Sequence, residues 1–366
     1  MIEPVVIVGA GLSGLHAASM LTKQNIECKV LETRSRIGGR VLTSRSDRPE
    51  LGHFDLGSTW FWPQQESTIS NLVKELNVRV FEQYTEGAML SERVRGTPPE
   101  RFVLKGNPYV GSYRIKGGVE ALVNAIEATI PPESIELDTK VTEIRMEKDN
   151  TITVVADLGD GKTKTVSAGT VILAVPPRIV ARHITFYPAL PSHLMTDLIS
   201  KPTWMAGQAK VVAIYDDPFW RELGLSGFAT SWVGPLQEIH DASPEEGSGA
   251  LFGFYGVPAR TRQELGKDQL LKMANDQLVR LFGDSAQYPS AMLYKDWAID
   301  SDTAAPEDSD PLREFPMYGQ PSVTGLWVNK ITFAGTESDP YFGGHLEGAL
   351  RSAERAVNGI INKGSI

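Results

Sequence analysis

Three glycines near the amino terminus constrain the fold of this chain more than any other feature of its sequence. Gly9, Gly11 and Gly14 lie between the apolar run Val5-Val6-Ile7-Val8 and an Ala-, Leu- and Met-containing segment that reaches Lys23. An all-apolar run is typical of a strand buried on both faces of a parallel sheet, and the segment after the glycines predicts a helix. The chain therefore begins as a βαβ unit of an α/β protein.

The spacing within this unit predicts a dinucleotide site. Gly9 permits the tight turn, Gly11 lets backbone N–H groups approach a pyrophosphate, and Gly14 lets the helix pack against the strand. The helix N-terminus adds unpaired donors and the positive end of its dipole. A second strand, predicted over residues 27–32, ends in Glu32, whose carboxylate can accept hydrogen bonds from an adenosine ribose. A tight turn without any ligand is the alternative interpretation.

A second glycine turn follows at once, in Arg34-Ser35-Arg36-Ile37-Gly38-Gly39-Arg40. A simple NAD dehydrogenase does not need it. A bound FAD would use both the close backbone approach and a guanidinium for the pyrophosphate. The alternative is a solvated basic loop.

Composition excludes several classes of function. The chain has 366 residues, with 36 basic and 45 acidic side chains and a formal charge of −9, which argues against a nucleic-acid partner. Its one cysteine, Cys28, cannot form an internal disulfide, and the six histidines lack metal-ligand spacing. No apolar run approaches the roughly 18 residues that span a bilayer, and glycines interrupt the run Val5 to Leu15, so we expect a cytoplasmic protein without a signal peptide.

The remainder of the chain alternates between strand and helix patterns. Strands are predicted around residues 140–146, 151–158, 162–166, 171–175, 207–215 and 331–333, with a hairpin turn at Asp160-Gly161. Helices are predicted over residues 119–130, 269–282 and 346–361. Residues 300–312, crowded with Asp, Ser and Pro, predict a loop.

Motifs at both ends of the chain carry a resemblance to a known family. Beside the two glycine turns and Glu32 stand Asp55-Leu56-Gly57-Ser58-Thr59-Trp60, Phe333-Ala334-Gly335-Thr336-Glu337 and Gly344-His345-Leu346-Glu347-Gly348-Ala349. In this order they resemble the flavin-containing amine oxidases, which include monoamine, polyamine and L-amino-acid oxidases. The resemblance implies an α/β fold with a Rossmann-like βαβ FAD-binding domain and an inserted mixed α+β substrate domain. We expect the FAD-binding domain to comprise residues 1–62, 112–190 and 313–366, and the substrate domain residues 63–111 and 191–312.

The resemblance also implies a set of cofactor-binding residues. It places the ribose on Glu32, the pyrophosphate near Arg34 and Arg40, and the flavin ring between the Gly57–Trp60 bend and the turn containing His345. The implied FAD contacts are Gly9, Gly11, Leu12, Ser13, Gly14, Glu32, Thr33, Arg34, Gly38, Gly39, Arg40, Gly57, Ser58, Thr59, Trp60, Val141, Gly335, Glu337, Gly344, His345 and Leu346.

Lys210 is the implied catalytic residue. It shares a strand face with Val212 and Ile214, so pattern alone equally indicates an edge residue that extends to water. Its spacing to Pro218-Phe219-Trp220 resembles that of the family's lysine that holds a water at flavin N5.

The resemblance implies a substrate pocket of Tyr318, His345, Trp297 and Trp60, although Tyr318 and Trp297 taken alone indicate plain core residues. His345 departs from the family's usual tyrosine, which puts a simple two-tyrosine cage in doubt. Where the family attaches its flavin covalently, it uses a Cys just before the cage tyrosine, and here that position is Met317. We therefore expect noncovalent FAD.

The implied activity is oxidative deamination of a small-molecule amine or amino acid, with O2 reoxidising the flavin to give hydrogen peroxide. Two alternatives stay open: an FAD-dependent desaturase or protoporphyrinogen-type oxidase acting on C–C bonds, and a redox-silent flavin protein. The sequence identifies neither the amine nor the oligomeric state.

Overall fold

The computed structural model describes residues 3–364 apart from 104, 105, 107, 310, 311 and 313. A five-stranded sheet gathers strands from both ends and the middle of the chain in the order β20-β13-β1-β2-β9, and all its paired strands are parallel. Its strands are β1 (Val5–Val8), β2 (Cys28–Leu31), β9 (Ile135–Glu136), β13 (Thr170–Leu173) and β20 (Ile331–Phe333). Such a sheet, with the glycine turn at the carboxyl end of β1, is the architecture that the βαβ pattern predicts.

Both faces of this sheet are covered, because side chains alternate along each strand. Val5 and Ile7 lie in one hydrophobic core, and Val6 and Val8 lie in another. The first core is built with helices α1 (Leu12–Lys23), α2 (Ser67–Glu75), α3 (Glu120–Glu127) and α8 (Leu346–Gly364). This double burial explains why β1 is apolar throughout.

A four-stranded sheet packs on the second face, in the order β12-β11-β10-β14. Its strands are β10 (Lys140–Met146), β11 (Ile152–Asp157), β12 (Thr163–Ala168) and β14 (Thr185–Tyr187), and α4 (Pro177–His183) and α5 (Ser192–Ser200) adjoin it. β11 and β12 are antiparallel, so the predicted hairpin at Asp160-Gly161 is confirmed.

A larger sheet has seven strands in the order β19-β15-β18-β17-β16-β6-β7. Its strands are β6 (Ala88–Glu92), β7 (Glu100–Phe102), β15 (Ala209–Tyr215), β16 (Leu225–Ser231), β17 (Leu236–Asp241), β18 (Gly249–Tyr255) and β19 (Ala291–Asp296). Helix α7 (Lys267–Phe282), preceded by α6 (Ala259–Leu265), packs on one face. The opposite face, with Val212 and Ile214, turns toward Phe54 and Leu56 of the amino-terminal part.

Two short strand pairs connect these layers. They are β3 (Thr43–Ser44) with β4 (Phe54–Asp55), and β5 (Val80–Glu82) with β8 (Tyr113–Ile115). Among the described residues, no helix combines the length and apolar character needed to cross a membrane.

The α/β fold class is confirmed. One segment predicted for the substrate domain, residues 63–111, packs partly against the core of the FAD-binding domain. Helix α2 lies within residues 63–111, which were assigned to the substrate domain. Its Ile69, Leu72 and Val73 are nevertheless buried in the same core as α1 and α8. The domain boundaries stay a prediction, with residue 313 outside the described residues.

Candidate active site

A cavity of about 500 Å³ runs from the glycine turns to the seven-stranded sheet. It begins at the carboxyl end of β1 and the N-terminus of α1, where open α/β sheets bind ligands. The predicted site residues that line it are Gly9, Gly11, Leu12, Ser13, Glu32, Arg34, Gly38, Gly39, Arg40, Gly57, Ser58, Thr59, Trp60, Lys210, Trp297, Gly335, Gly344, His345 and Leu346. One cavity therefore joins the predicted nucleotide site to the predicted catalytic lysine.

The first glycine turn presents bare backbone to this cavity. Gly11 precedes α1, and no side chain caps the helix. A Cβ on Gly11 would meet only Gly38 O, at 4.0 Å, so the space beside it is open. A Cβ on Gly14 would instead lie 1.9 Å from Gly9 O. Gly11 therefore provides room for a ligand, and Gly14 provides close packing of helix on turn.

The second glycine turn is hydrogen-bonded to the first. Gly38 N donates to Ala10 O at 2.8 Å. Gly39 has φ +58°, and a Cβ there would lie 3.2 Å from the Cα of Gly11. The guanidinium of Arg36 donates to the carbonyl oxygens of Ile37, Gly39 and Val41. Arg36 thus fixes the turn, a role that the sequence analysis did not assign to it.

Glu32 lines the cavity with both carboxylate oxygens oriented by the backbone. Ala10 N donates to Oε2 at 2.7 Å and Arg34 N donates to Oε1 at 3.0 Å. Each oxygen keeps a lone pair for a ribose hydroxyl. The guanidinium of Arg34 lies between two carboxylates: its Nη1 is 3.6 Å from Glu32 Oε1, and its Nη2 donates to Asp300 Oδ1 at 2.5 Å and to Thr303 Oγ1 at 2.9 Å.

Arg40 borders the cavity in a bidentate pair with Glu337. Its Nη1 and Nη2 lie 2.7 and 3.2 Å from the two carboxylate oxygens. Burial lowers the pKa of Arg40, but the Glu337 carboxylate outweighs this and the net pKa is raised. Arg40 is therefore a fixed positive charge suited to a pyrophosphate. Glu337 is fully buried and outside the wall, so it acts through Arg40.

Lys210 lines the cavity from β15 of the seven-stranded sheet. β15 pairs with β18 on one side and β19 on the other, so the edge interpretation is wrong. Lys210 Nζ donates to Thr59 Oγ1 at 2.7 Å and to Gly57 O at 3.2 Å, and it lies 3.9 Å from the centre of the Phe252 ring. Burial lowers the pKa of Lys210 to about 7, against the opposing charge of Asp55.

Aromatic rings cover the wall beside Lys210. Trp60 Nε1 donates to Gln83 Oε1 at 2.8 Å, and its ring lies 4.8 Å from that of Tyr109. Trp297 Nε1 donates to Leu56 O at 3.0 Å. Both tryptophans are thus held by hydrogen bonds and still face the cavity.

A carboxylate lies within this aromatic wall. Glu238 Oε1 accepts the hydroxyl of Tyr109 at 2.6 Å and faces His240 Nε2 at 2.7 Å. Burial alone raises the pKa of Glu238, but the hydrogen bonds from His240 and Tyr109 hold it below its ordinary value. Burial lowers the pKa of His240 despite that carboxylate. The wall thus carries a negative charge on Glu238.

His345 lines the cavity at the start of α8, with Nδ1 at 3.0 Å from Oε1 of the buried Glu66. Trp62 and Phe315 are its aromatic neighbours, with ring centres at 6.3 and 5.8 Å. Its surroundings therefore combine rings with a charged hydrogen-bonding partner.

The structure does not bring every predicted residue into the cavity wall. The hydroxyl of Tyr318 donates to Pro202 O at 2.8 Å, and the ring packs against Gly343. Tyr318 is therefore buried and is not among the residues that line the cavity, so its role in the substrate pocket stays a prediction. Met317, beside it, is 96% exposed. Gly14, Thr33 and Val141 are also outside the wall.

Several wall residues were not predicted from the sequence. They include Trp62, Tyr109, Trp204, Met205, Gln208, Gln237, Glu238, Phe254, Asp302 and Thr303. The aromatic run Trp60-Phe61-Trp62 could have indicated that Trp62 lines the site. The other unpredicted wall residues lie in stretches without a distinctive sequence pattern.

The donor set fits an FAD. The open backbone at Gly11, the uncapped α1 N-terminus, the Glu32 carboxylate and the charge of Arg40 suit the adenosine and pyrophosphate. The aromatic wall and Lys210 suit the ring end.

Comparisons with known proteins agree with this geometry. A family model for flavin-containing amine oxidoreductases matches residues 100–361, and one for an NAD(P)-binding Rossmann-like domain matches residues 7–76. A Mycobacterium tuberculosis protein named as a flavin-containing monoamine oxidase is 26% identical, over 96% of this chain and 95% of that protein. Putrescine oxidase of Kocuria rosea is 24% identical, over 99% and 96%. The structure of cyclohexylamine oxidase from Brevibacterium oxydans superimposes with a TM-score of 0.81 at 19% identity, over the whole of both chains.

Proposed function

The chain belongs to the flavin-containing amine oxidoreductases, and we propose that it is an FAD-dependent oxidase that converts an amine to an imine, which water hydrolyses to a carbonyl compound. The observation that carries this proposal is the single cavity shared by the nucleotide-binding turns, Lys210 and the aromatic wall. When bound, FAD supplies the electron acceptor for the C–H bond beside the amine nitrogen, and O2 takes those electrons to form hydrogen peroxide.

The residues of the chain contribute position and electrostatics. Trp60 and Trp297 are fixed by hydrogen bonds and hold an amine at a defined place. Lys210 is held by Thr59 and Gly57, and it is the residue we assign to the oxygen-reacting step. Its pKa of about 7 lets it hold or release a proton near neutral pH.

We propose that the FAD is noncovalent. The only thiol, Cys28, is buried in β2, where its Sγ lies 3.9 Å from Ala18 O. Cys28 is not part of the cavity wall. Acid precipitation should leave the yellow flavin in solution, and flavin retained by the precipitate would contradict this assignment.

Glu238 favours a substrate with a second cationic group. Its side chain is 38% exposed and lines the cavity together with Trp60, Tyr109 and Phe254. Aromatic faces and a carboxylate together attract an ammonium group. Putrescine oxidase, a relative, is named for a diamine. We therefore propose that diamines are preferred over monoamines of equal length.

A substrate screen tests the function. The purified flavoprotein is given monoamines, diamines, polyamines and L-amino acids, and peroxide is measured in air and flavin bleaching without oxygen. We expect both signals with at least one amine. If none of these compounds bleaches the flavin, the result would support a redox-silent flavin protein or an enzyme acting on C–C bonds.

A further inference from the structure

The pair formed by His345 and Glu66 is the feature of the site that the proposed chemistry does not yet use. Glu66 is buried and immediately precedes α2. Its Oε2 accepts Trp62 N at 2.7 Å, and its Oε1 faces His345 Nδ1 at 3.0 Å. The backbone of His345 is fixed as well, because its carbonyl accepts Thr336 Oγ1 at 2.8 Å. Both partners therefore have defined positions.

This arrangement determines which nitrogen of the His345 ring carries the proton and which carries the lone pair. A carboxylate accepts hydrogen bonds, so the imidazole places its proton on Nδ1 and donates it to Glu66. Nε2 is then left as a hydrogen-bond acceptor.

His345 is close to the reacting part of the cavity. Residues 57–62 run from Lys210 to His345. Lys210 donates to Gly57 O and Thr59 Oγ1 at one end of this segment, and the Trp62 ring at the other end lies 6.3 Å from the His345 ring. Other ionisable groups come from different elements: Lys210 from β15, Glu238 from β17, and Glu347 from α8. Both oxygens of Glu347 already accept the backbone N–H groups of Thr68 and Ile69.

We propose that His345 is the base that accepts the proton of the substrate ammonium, and that Glu66 is the residue that positions it. An alkylammonium ion, with an ordinary pKa of about 10, has no free lone pair and must lose a proton before its carbon can be oxidised. The N–H bond of the ammonium breaks, its electron pair stays on the amine nitrogen, and the proton forms a new bond to Nε2. The imidazolium that results is stabilised by the Glu66 carboxylate. This inference rests on the amine oxidation proposed above.

The substitution Glu66→Gln separates orientation from the presence of the imidazole. The single carbonyl oxygen of the glutamine is expected to accept Trp62 N–H, which leaves the amide NH2 facing Nδ1. Nδ1 must then accept, so the ring proton moves to Nε2 and that nitrogen can no longer take a proton. Glu66→Gln should therefore impair the proton transfer nearly as much as removing the imidazole.

Nitrogen NMR of histidine-labelled holoenzyme tests the position of the ring proton directly. The His345 signals are identified by their loss in His345→Gln, and a pH is chosen at which the enzyme shows a neutral ring. We expect the ring proton on Nδ1 in the wild type and on Nε2 in Glu66→Gln. A wild-type ring that carries its proton on Nε2 overturns the proposal.

The pH dependence of anaerobic flavin bleaching gives a second readout. With saturating substrate amine near pH 7.5, His345→Gln should be slower by about a hundredfold, the usual scale of general base catalysis. The loss should shrink toward pH 10, where the amine arrives neutral. His193→Gln, an exposed histidine, is the matched control. If the wild type is bleached by amines and His345→Gln follows the same pH profile, this inference fails while the proposed function stands. If no amine bleaches the wild type, the proposed function itself fails.

Discussion

Lys210 is buried with its amino group 2.7 Å from the hydroxyl of Thr59 and 3.9 Å from the centre of the Phe252 ring. Such surroundings solvate a charged amine poorly, which is why the pKa of Lys210 falls to about 7. This relationship between a hydroxyl and a lysine has consequences for both stability and turnover.

The first prediction concerns stability and pH. The ordinary pKa of lysine is 10.5, so between about pH 7 and 10.5 the unfolded chain binds a proton that the native chain lacks. Wild-type stability should therefore rise with pH across this window. Lys210→Met removes the effect and should be more stable at pH 7 by up to about 5 kcal/mol, since a tenfold change in proton affinity is worth about 1.4 kcal/mol.

Urea denaturation from pH 7 to 10 measures this difference. Lys272→Met, which replaces an exposed lysine on α7, is the control and should show no comparable trend. A constant difference between Lys210→Met and the wild type across this range would contradict the proposed burial effect.

The second prediction concerns reaction with oxygen. Lys210→Met should slow flavin reoxidation by about a hundredfold, the scale on which a fixed polar group stabilises developing charge. Thr59→Val preserves the side-chain shape and the lysine, so it should have a smaller effect. Stopped-flow mixing of reduced enzyme with oxygenated buffer gives the rate. Unchanged reduction and reoxidation rates in Lys210→Met would remove this residue from the mechanism.

The sequence predicted those parts of the site that depend on local pattern. The βαβ unit follows from the apolar run of β1 and the glycines after it, because both signals lie within about ten residues. Glu32 was found because it directly follows the second strand of the same βαβ unit. The structure also shows why Lys210 was ambiguous: its face was correctly predicted, but pairing with β18 and β19 is a long-range property.

Contacts between distant segments could not be predicted. Glu66 and His345 are 279 residues apart, and only the packing of α2 beside α8 brings them together. Glu238 looked like one acidic residue among many until β17 placed it in the cavity wall. For Tyr318 the motif predicts a place in the substrate pocket, whereas in the structure its ring packs against Gly343 and does not line the cavity.

The third prediction concerns the pair of Arg40 and Glu337. Glu337→Gln removes the charge that holds Arg40, leaving a mostly buried guanidinium without its partner. Breaking such a pair typically costs about 3–5 kcal/mol. The unfolding temperature of the holoenzyme should fall, and less FAD should stay bound during gel filtration. Glu264→Gln breaks an exposed pair with Arg260 and should change stability by less than about 1 kcal/mol. Equal effects of the two substitutions would show that Arg40 needs no fixed partner.

The fourth prediction concerns substrate choice. Glu238→Gln keeps the hydrogen-bonding shape and removes the negative charge in the wall. We expect the KM for a diamine to rise about tenfold, as expected for the loss of about 1.4 kcal/mol of attraction. The KM for the monoamine of equal chain length should stay within about twofold, and that monoamine is the internal control. An equal rise in KM for both substrates would show that Glu238 maintains the structure of the wall and does not bind the second ammonium group.

The fifth prediction compares two glycines that both lie in helices. An added Cβ at Gly14 would lie 1.9 Å from Gly9 O, so Gly14→Ala must push α1 away from the first glycine turn. Gly359, in α8, has no atom within 4 Å of the same position, and alanine there should stabilise the protein by about 0.5–1 kcal/mol through helix propensity. Gly14→Ala should be destabilised by several kcal/mol relative to Gly359→Ala. It should also lose FAD, because the displaced helix carries Leu12 and Ser13 of the cavity wall. Unfolding curves with and without added FAD give both quantities, and a Gly14→Ala protein that binds FAD as the wild type does would show that close contact between α1 and the turn is not required.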